Sequence, residues 1–135
     1  LSNAATVLHS NRALGIFPEG TRSKREEAPF LLQGKTGIAR LAASYPDVPV
    51  VPIGLQGTRD FMRPSKHKFP RFWRRVEVAF GKPITWWQWL EKKVDLEELQ
   101  GLAHKEDHEV KSVLSGYYRE FTDEFMERIR GQGAP

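Results

Sequence analysis

The sequence predicts an α/β fold in which a few strands are covered by helices. Residues 13–17 and 48–55 are short, mostly apolar runs, which are typical of buried strands. Residues 76–80 alternate apolar and polar side chains, a pattern that predicts a half-buried strand ending at Gly81. Between residues 107 and 130, apolar side chains recur at steps of three and four, so a long amphipathic helix is expected there.

The composition is that of an ordinary globular chain. The 135 residues are 39% hydrophobic and 28% charged, and this length supports one domain with its own core. No apolar run approaches the ~20 residues that a membrane-spanning helix needs. The absence of cysteine excludes disulfides and thiolate metal sites. His104 and His108 have the spacing of metal ligands on one helical face, but a third ligand is not evident, so we expect no metal site.

Two shorter helices and a tryptophan cluster complete the predicted elements. One helix begins near Thr36 or Gly37, and another covers residues 96–104 behind the capping residue Asp95. Three of the four residues 86–89 are tryptophans. Such a cluster either packs a helix onto the sheet or anchors at a membrane interface, and we favour core packing.

A dense polar cluster directly follows the first predicted strand. Pro18 cannot donate to a sheet ladder, so the strand should end there. The next five residues are Glu19, Gly20, Thr21, Arg22 and Ser23. Glycine lets backbone approach a ligand closely, hydroxyls donate, and a guanidinium matches phosphate in fork geometry. The cluster is therefore either an anion-binding site or a strand-to-loop turn with solvated charges.

A second glycine-rich segment, Gly34-Lys35-Thr36-Gly37, precedes the short helix. A helix N-terminus that carries a lysine can cradle phosphate, which makes Lys35 an additional candidate for the anion site. The spacing of a nucleotide-binding P-loop does not occur here. The alternative is that this segment only begins the helix.

The net charge of +4 is unevenly distributed. Residues 59–75 contain one acidic residue, Asp60, and several aromatic residues among their basic side chains. The basic residues are Arg59, Arg63, Lys66, Lys68, Arg71, Arg74 and Arg75. Three roles are open for this stretch: stacking on nucleic-acid bases, contact with lipid headgroups, or a solvated loop whose aromatic residues pack inward.

Three segments together resemble one family. Residues 17–23, 48–53 and 81–84 resemble the phosphate-binding motif, the Val-Pro-rich motif and the following strand end of the glycerolipid acyltransferases. The resemblance is in particular to the bacterial 1-acyl-sn-glycerol-3-phosphate acyltransferases. Residues 35–39 resemble a weaker motif between the first two. The resemblance covers residues 14–84 and implies a small, mostly parallel sheet flanked by helices.

The resemblance also implies a reaction and a site. The reaction moves a fatty acyl group from acyl-CoA or acyl carrier protein to the free hydroxyl of 1-acyl-sn-glycerol 3-phosphate, a step of phospholipid biosynthesis without a cofactor. The residues implied to hold the acceptor phosphate are Glu19, Gly20, Thr21 and Arg22, with Ser23 and Lys35 as additional candidates. Arg22 is the principal phosphate ligand expected, because its guanidinium matches phosphate in fork geometry. A phosphate held in this way positions the acceptor hydroxyl for attack. We expect Glu19 to orient Arg22 or to accept a proton from the substrate.

The chain departs from the family at the catalytic base. The family uses a histidine followed five positions later by an aspartate, and none of the four histidines has that partner. We therefore expect the base upstream, so that the chain is a C-terminal fragment without activity of its own. Residues 1–4 contain Ser-Asn-Ala, which is typical of a cleaved expression tag. Residues 5–90 are then the C-terminal part of the acyltransferase domain, and residues 91–135 are a helical extension.

Location and partners follow from the lipid substrates. We expect the parent protein at the cytoplasmic face of the cell membrane and the fragment itself to be soluble. Residues 59–75 are the candidate contact with anionic headgroups, and no nucleic acid is expected. The alternative function is a non-catalytic module that binds an anion, a membrane or a nucleic acid.

Overall fold

The computed structural model describes residues 2–61, 69–95, 97, 100–101 and 106–135. Its elements, in chain order, are α1 (Ser2–His9), α2 (Gly37–Ser44), β1 (Ile53–Gln56), α3 (Thr58–Phe61), β2 (Glu77–Phe80), α4 (Trp86–Leu90) and α5 (Asp107–Gly131). The helix predicted over residues 96–104 falls largely outside the described residues, as does His104. Helix α1 begins at Ser2, within the residues interpreted as a tag remnant, and that interpretation stays a prediction.

The long C-terminal helix α5 supplies much of the core. Its buried side chains pack against α2 and α4, and Phe121 at its centre is 1% exposed. The rings of Trp86 and Trp89 lie 5.2 and 5.3 Å from the Phe121 ring. The indole N–H of Trp89 donates to Glu124 Oε2 at 3.0 Å, so burial leaves this polar group satisfied. Core packing is therefore confirmed for Trp86 and Trp89, while Trp87 remains 44% exposed.

The helix predictions that rest on periodicity are confirmed. Helix α2 begins at Gly37, and α5 runs from Asp107 to Gly131. The short helix α4 is fixed by its first turn, where Thr85 Oγ1 accepts from the Gln88 N–H at 3.1 Å. Gln88 Oε1 in turn accepts from the Thr85 N–H at 3.2 Å, which completes a capping box. In the part of the chain that the structure describes, no helix is both long and apolar enough to cross a membrane.

Strands β1 and β2 form an antiparallel pair, with Ile53 opposite Phe80 and Leu55 opposite Val78. Strand β2 confirms a strand at residues 77–80, but its predicted half-burial is wrong, because Val78 and Phe80 are 52% and 69% exposed. Strand β1 is shorter than predicted, because Pro52 just before it cannot donate to a ladder. One pair is too small a sheet to test the mostly parallel arrangement, which stays a prediction.

The strand predicted over residues 13–17 is not formed. These residues have no regular secondary structure, and Ile16 and Phe17 are 42% and 72% exposed. A strand is stabilised by hydrogen bonds and side-chain pairs with a neighbour. Among the described residues, no strand lies beside this run, so its apolar side chains face outward.

Candidate anion site

The polar cluster after residue 17 forms a tight turn. The Gly20 N–H donates to the Phe17 carbonyl at 3.0 Å, which closes the turn around Pro18 and Glu19. Gly20 has φ of +67°, in the left-handed region that other residues adopt at a cost. The turn is thus built by the glycine and presents residues 20–22 at the surface.

Glu19 fastens this turn to a neighbouring segment. Its Oε2 accepts a hydrogen bond from the Leu32 N–H at 2.7 Å. The structure shows no ion pair between Glu19 and Arg22, and both expected roles of Glu19, orienting Arg22 and accepting a proton from the substrate, stay predictions. A charged acceptor on an amide makes a strong hydrogen bond, so the role seen for Glu19 is to hold the loop in place.

Lys35 reaches the same turn from the segment that precedes α2. Its N–H donates to the Pro18 carbonyl at 2.8 Å. Its side chain lies across Gly20, so that a Cβ at position 20 would be 3.0 Å from Lys35 Nζ and 3.1 Å from Lys35 Cδ. Position 20 therefore favours glycine for its φ, and a Cβ there would also displace the flexible Lys35 side chain.

The two cations of the site have no carboxylate partner. Neither Arg22 nor Lys35 forms an ion pair with any described residue, and both are exposed. Thr21 is exposed beside Arg22, and Ser23 Oγ accepts a long hydrogen bond of 3.4 Å from the Arg25 N–H. Two unneutralised cations, a free hydroxyl and a glycine backbone together make an electropositive surface that suits an anion.

Helix α5 supports the segment that carries Lys35. Arg119 Nη1 donates to the Gly34 carbonyl at 2.9 Å. The same guanidinium is held by Asp123, with Nε and Nη2 at 2.9 and 2.6 Å from the two carboxylate oxygens. Gly34 packs so closely on α5 that a Cβ there would lie 2.8 Å from Met126 Cγ. No local sequence signal marks this contact, since Arg119 and Gly34 are 85 positions apart.

A groove of about 490 Å³ separates residues 25–34 from α5. Its walls include Leu31, Leu32 and Met126. The charges on its rim are engaged, since Arg130 pairs with Glu127 and Arg25 donates to the Pro29 carbonyl at 2.9 Å. Arg130 is therefore neutralised, whereas Arg25 is hydrogen-bonded but forms no ion pair with a described residue.

Residues 1–56 match the Acyltransferase family model. This match supports an acyltransferase family for the chain. The matched part contains the turn, Lys35 and helix α2, and it ends at the last residue of β1. The basic stretch, the tryptophan cluster and α5 lie beyond it. No solved structure matches the chain.

Histidines are the residues that would remove the hydroxyl proton in acyl transfer, so their positions matter here. His9 lies against Tyr45, with ring centroids 5.5 Å apart, and His108 Nδ1 lies 3.3 Å from Glu106 Oε2. His67 and His104 are outside the described residues. Neither the contact of His9 nor that of His108 involves the turn at residues 17–20. Over the described ranges, no group of three or more His, Cys, Asp or Glu is placed to hold a metal ion.

Proposed function

We propose that this chain supplies the acceptor-phosphate site of an enzyme that acylates 1-acyl-sn-glycerol 3-phosphate. The acyl group comes from acyl-CoA or acyl carrier protein. The observation that carries the proposal is the placement of Lys35 Nζ across Gly20, in the turn that also bears Arg22. No carboxylate of a described residue neutralises either cation. The acyltransferase match over residues 1–56, which includes both cations, supports the same reading.

The phosphate of the acceptor carries up to two negative charges and three terminal oxygens. Arg22 offers a planar fork of donors, and Lys35 offers a compact charge that is not restricted to one geometry. Thr21 adds a hydroxyl, and Gly20 lets the backbone approach the phosphate closely. With the phosphate held, the free hydroxyl of the glycerol is confined to a small region, which converts binding into orientation.

In the reaction, the acceptor hydroxyl oxygen bonds to the thioester carbonyl carbon, a base takes the hydroxyl proton, and the carbon–sulfur bond breaks to release the thiol. The residues of this chain bind and orient the acceptor. Proton removal belongs to a histidine–aspartate pair outside these residues, at the cytoplasmic membrane face where the parent protein meets its lipids. We therefore expect no turnover of acyl-CoA and 1-acyl-sn-glycerol 3-phosphate by the 135-residue chain alone.

The test is a titration of the chain with sn-glycerol 3-phosphate, measured by calorimetry. We expect saturable binding that Arg22→Met weakens by about 10- to 100-fold, the size of a lost hydrogen bond to a charged group. Arg12→Met is the matched control, because Arg12 is an exposed arginine outside the turn. Equal losses in both variants would indicate general charge attraction, and an unchanged Arg22→Met would contradict the proposal.

A non-catalytic anion-binding module is the second candidate. The absence of a histidine–aspartate pair of the required spacing in this sequence favours it. The two candidates differ in what a longer protein containing these residues does. Turnover of acyl-CoA with 1-acyl-sn-glycerol 3-phosphate that Arg22→Met reduces supports the enzyme, whereas phosphate binding without turnover supports the module.

A further inference from the structure

We propose that residues 69–75, the aromatic–arginine turn, are a docking surface for a lipid bilayer with anionic headgroups. The proposal stands apart from the anion site, since it uses none of its residues and would hold for a non-catalytic protein as well. The candidate membrane contact predicted at residues 59–75 is thereby limited to residues 69–75, whose aromatic side chains are exposed. Residues 62–68 are outside the described residues and have no part in it.

Three aromatic side chains in this turn are almost fully exposed. Phe69 and Phe72 are both 79% exposed, and Trp73 is 75% exposed. The same protein buries Trp86 and Trp89 to 5% and 2% exposure. Large aromatic surfaces in water are unfavourable, and a cluster of them marks an interaction surface. Tryptophan and phenylalanine are the side chains that enter the boundary between headgroups and acyl chains.

Cations lie among these aromatic residues without an acid in the same segment. Residues 69–75 contain Arg71, Arg74 and Arg75 and no Asp or Glu. Arg75 pairs with Glu77 at 3.0 Å, while the Arg71 guanidinium lies 5.8 Å from the centre of the Trp73 ring. Arg71 and Arg74 form no ion pair with a described residue and are available to lipid phosphates.

The backbone holds the turn in a defined shape. The Arg74 N–H donates to the Arg71 carbonyl at 2.9 Å, and the Arg71 N–H donates to the Phe61 carbonyl of α3 at 2.8 Å. The Phe72 ring meets the Phe61 ring edge-on at 5.7 Å. Arg59 is excluded from the surface, because its guanidinium lies 4.1 Å from the centre of the Phe30 ring and is half-buried. A preformed turn loses little freedom on docking.

The surface around the turn favours lipid over nucleic acid. Val78 and Phe80 of β2 share one face and are 52% and 69% exposed, and Val76 just before the strand is 39% exposed. Ile53, opposite Phe80, is 41% exposed on the same face. Val76, Val78 and Ile53 are aliphatic, so they add apolar area for acyl chains but offer no plane on which bases stack. The apolar surface therefore continues from the turn in a form that a bilayer matches better.

The experiment is sedimentation of the 135-residue chain with vesicles of phosphatidylcholine, with and without phosphatidylglycerol. We expect binding to the anionic vesicles that weakens as salt is added, and weak binding to the neutral ones. On binding, the emission of exposed Trp73 should shift to shorter wavelength. Absence of binding to anionic vesicles at low salt would overturn the proposal.

Variants separate the contribution of the aromatic side chains to vesicle binding from that of the arginines. The triple variant Phe69→Ala, Phe72→Ala, Trp73→Ala should lower vesicle partitioning at least about tenfold on both vesicle types. Arg71→Gln with Arg74→Gln should lower only the preference for anionic vesicles. Trp87→Ala is the control, since Trp87 is also an exposed tryptophan but lies on α4, and should change nothing.

Folding is checked by comparing the unfolding temperature of each variant with that of the unaltered chain. The altered side chains are exposed except that of Arg71, which is partly buried, so these temperatures should agree closely. Two results would overturn the proposal: a triple variant that binds anionic vesicles as the unaltered chain does, or a single-stranded oligonucleotide that displaces the chain from vesicles through the same residues.

Discussion

The candidate anion site and the helical core differ in almost every physical respect. The turn that bears Arg22 is irregular, exposed and rich in unpaired charge. The core around Phe121 is regular, buried and closed by aromatic rings. The family match covers the first region but only part of the second, since it includes the buried face of α2 and ends before α4 and α5. The match therefore contains the exposed turn and leaves out the helix that supplies much of the core.

The contrast has a chemical basis. A binding side chain must leave its charge unpaired, so it adds little to stability, and few residue types can replace it. A core position needs only apolar volume of the right size, which many sequences supply. The two regions meet at Gly34, next to Lys35, where the Gly34 carbonyl accepts from Arg119 of α5 and the Gly34 Cα packs on Met126. Variants in each region test whether stability and phosphate binding can be changed independently.

The largest effect is expected in the core. Phe121→Ala removes a ring that is 1% exposed and leaves a cavity among Trp86, Trp89 and Phe125. The free energy of unfolding should fall by about 3–5 kcal/mol. Urea unfolding measures this loss. Phe80→Ala is the control, since the Phe80 ring is 69% exposed, and should change stability by less than about 0.5 kcal/mol. Similar losses in both variants would show that the buried ring is not the centre of the core.

The second prediction concerns the junction of the two regions. Arg119→Met removes the hydrogen bond to Gly34 and the fork to Asp123. Affinity for sn-glycerol 3-phosphate should fall roughly three- to tenfold, the size of one displaced hydrogen bond. Calorimetry on the chain measures it, with unfolding followed in parallel.

Lys93→Met is the matched control for that variant. Lys93 Nζ lies 2.6 Å from Glu120 and 2.5 Å from Glu124, so its loss also removes ion pairs of α5, but none that reaches residues 31–35. Phosphate affinity should be unchanged in Lys93→Met. Equal loss of affinity in the two variants would mean that α5 acts through general stability and not through Gly34.

The smallest effect is a pH dependence of the same ion pairs. Hydrogen bonds to Glu120 and Glu124 raise the pKa of Lys93 above its usual 10.5. A raised pKa in the folded state means that the ammonium stabilises the fold at pH values below 10.5, and that this contribution is lost as pH rises through the folded value. The stability difference between the unaltered chain and Lys93→Met should be constant from neutral pH to about pH 10 and shrink above it. A difference that grew with alkaline pH would contradict this assignment.

The sequence predicts most of the regular elements, but it does not predict the contacts between them. Helices α2 and α5 follow from the spacing of apolar residues, and β2 follows from strict alternation. Residues 13–17 have the composition of a strand but no partner beside them among the described residues, and pairing cannot be inferred from composition.

The candidate site was predictable as a set of residues but not as an arrangement. The motif at residues 19–22 and the lysine at position 35 were both identified from local pattern. That Lys35 lies across Gly20, and that Glu19 binds the Leu32 N–H, depends on how residues 31–35 fold back onto the turn. Such contacts join positions more than ten residues apart, and no local pattern specifies them.

The most direct test of the anion site is to map where sn-glycerol 3-phosphate binds, using backbone amide NMR shifts of the isotope-labelled chain. We expect saturable shifts centred on Gly20, Thr21, Arg22 and Lys35, and no such shifts with glycerol alone. Residues 71–75, also rich in arginine, should respond weakly, because they contain neither a lysine nor a glycine. Shifts that centre on residues 71–75 and leave Gly20 and Lys35 unaffected would contradict the account.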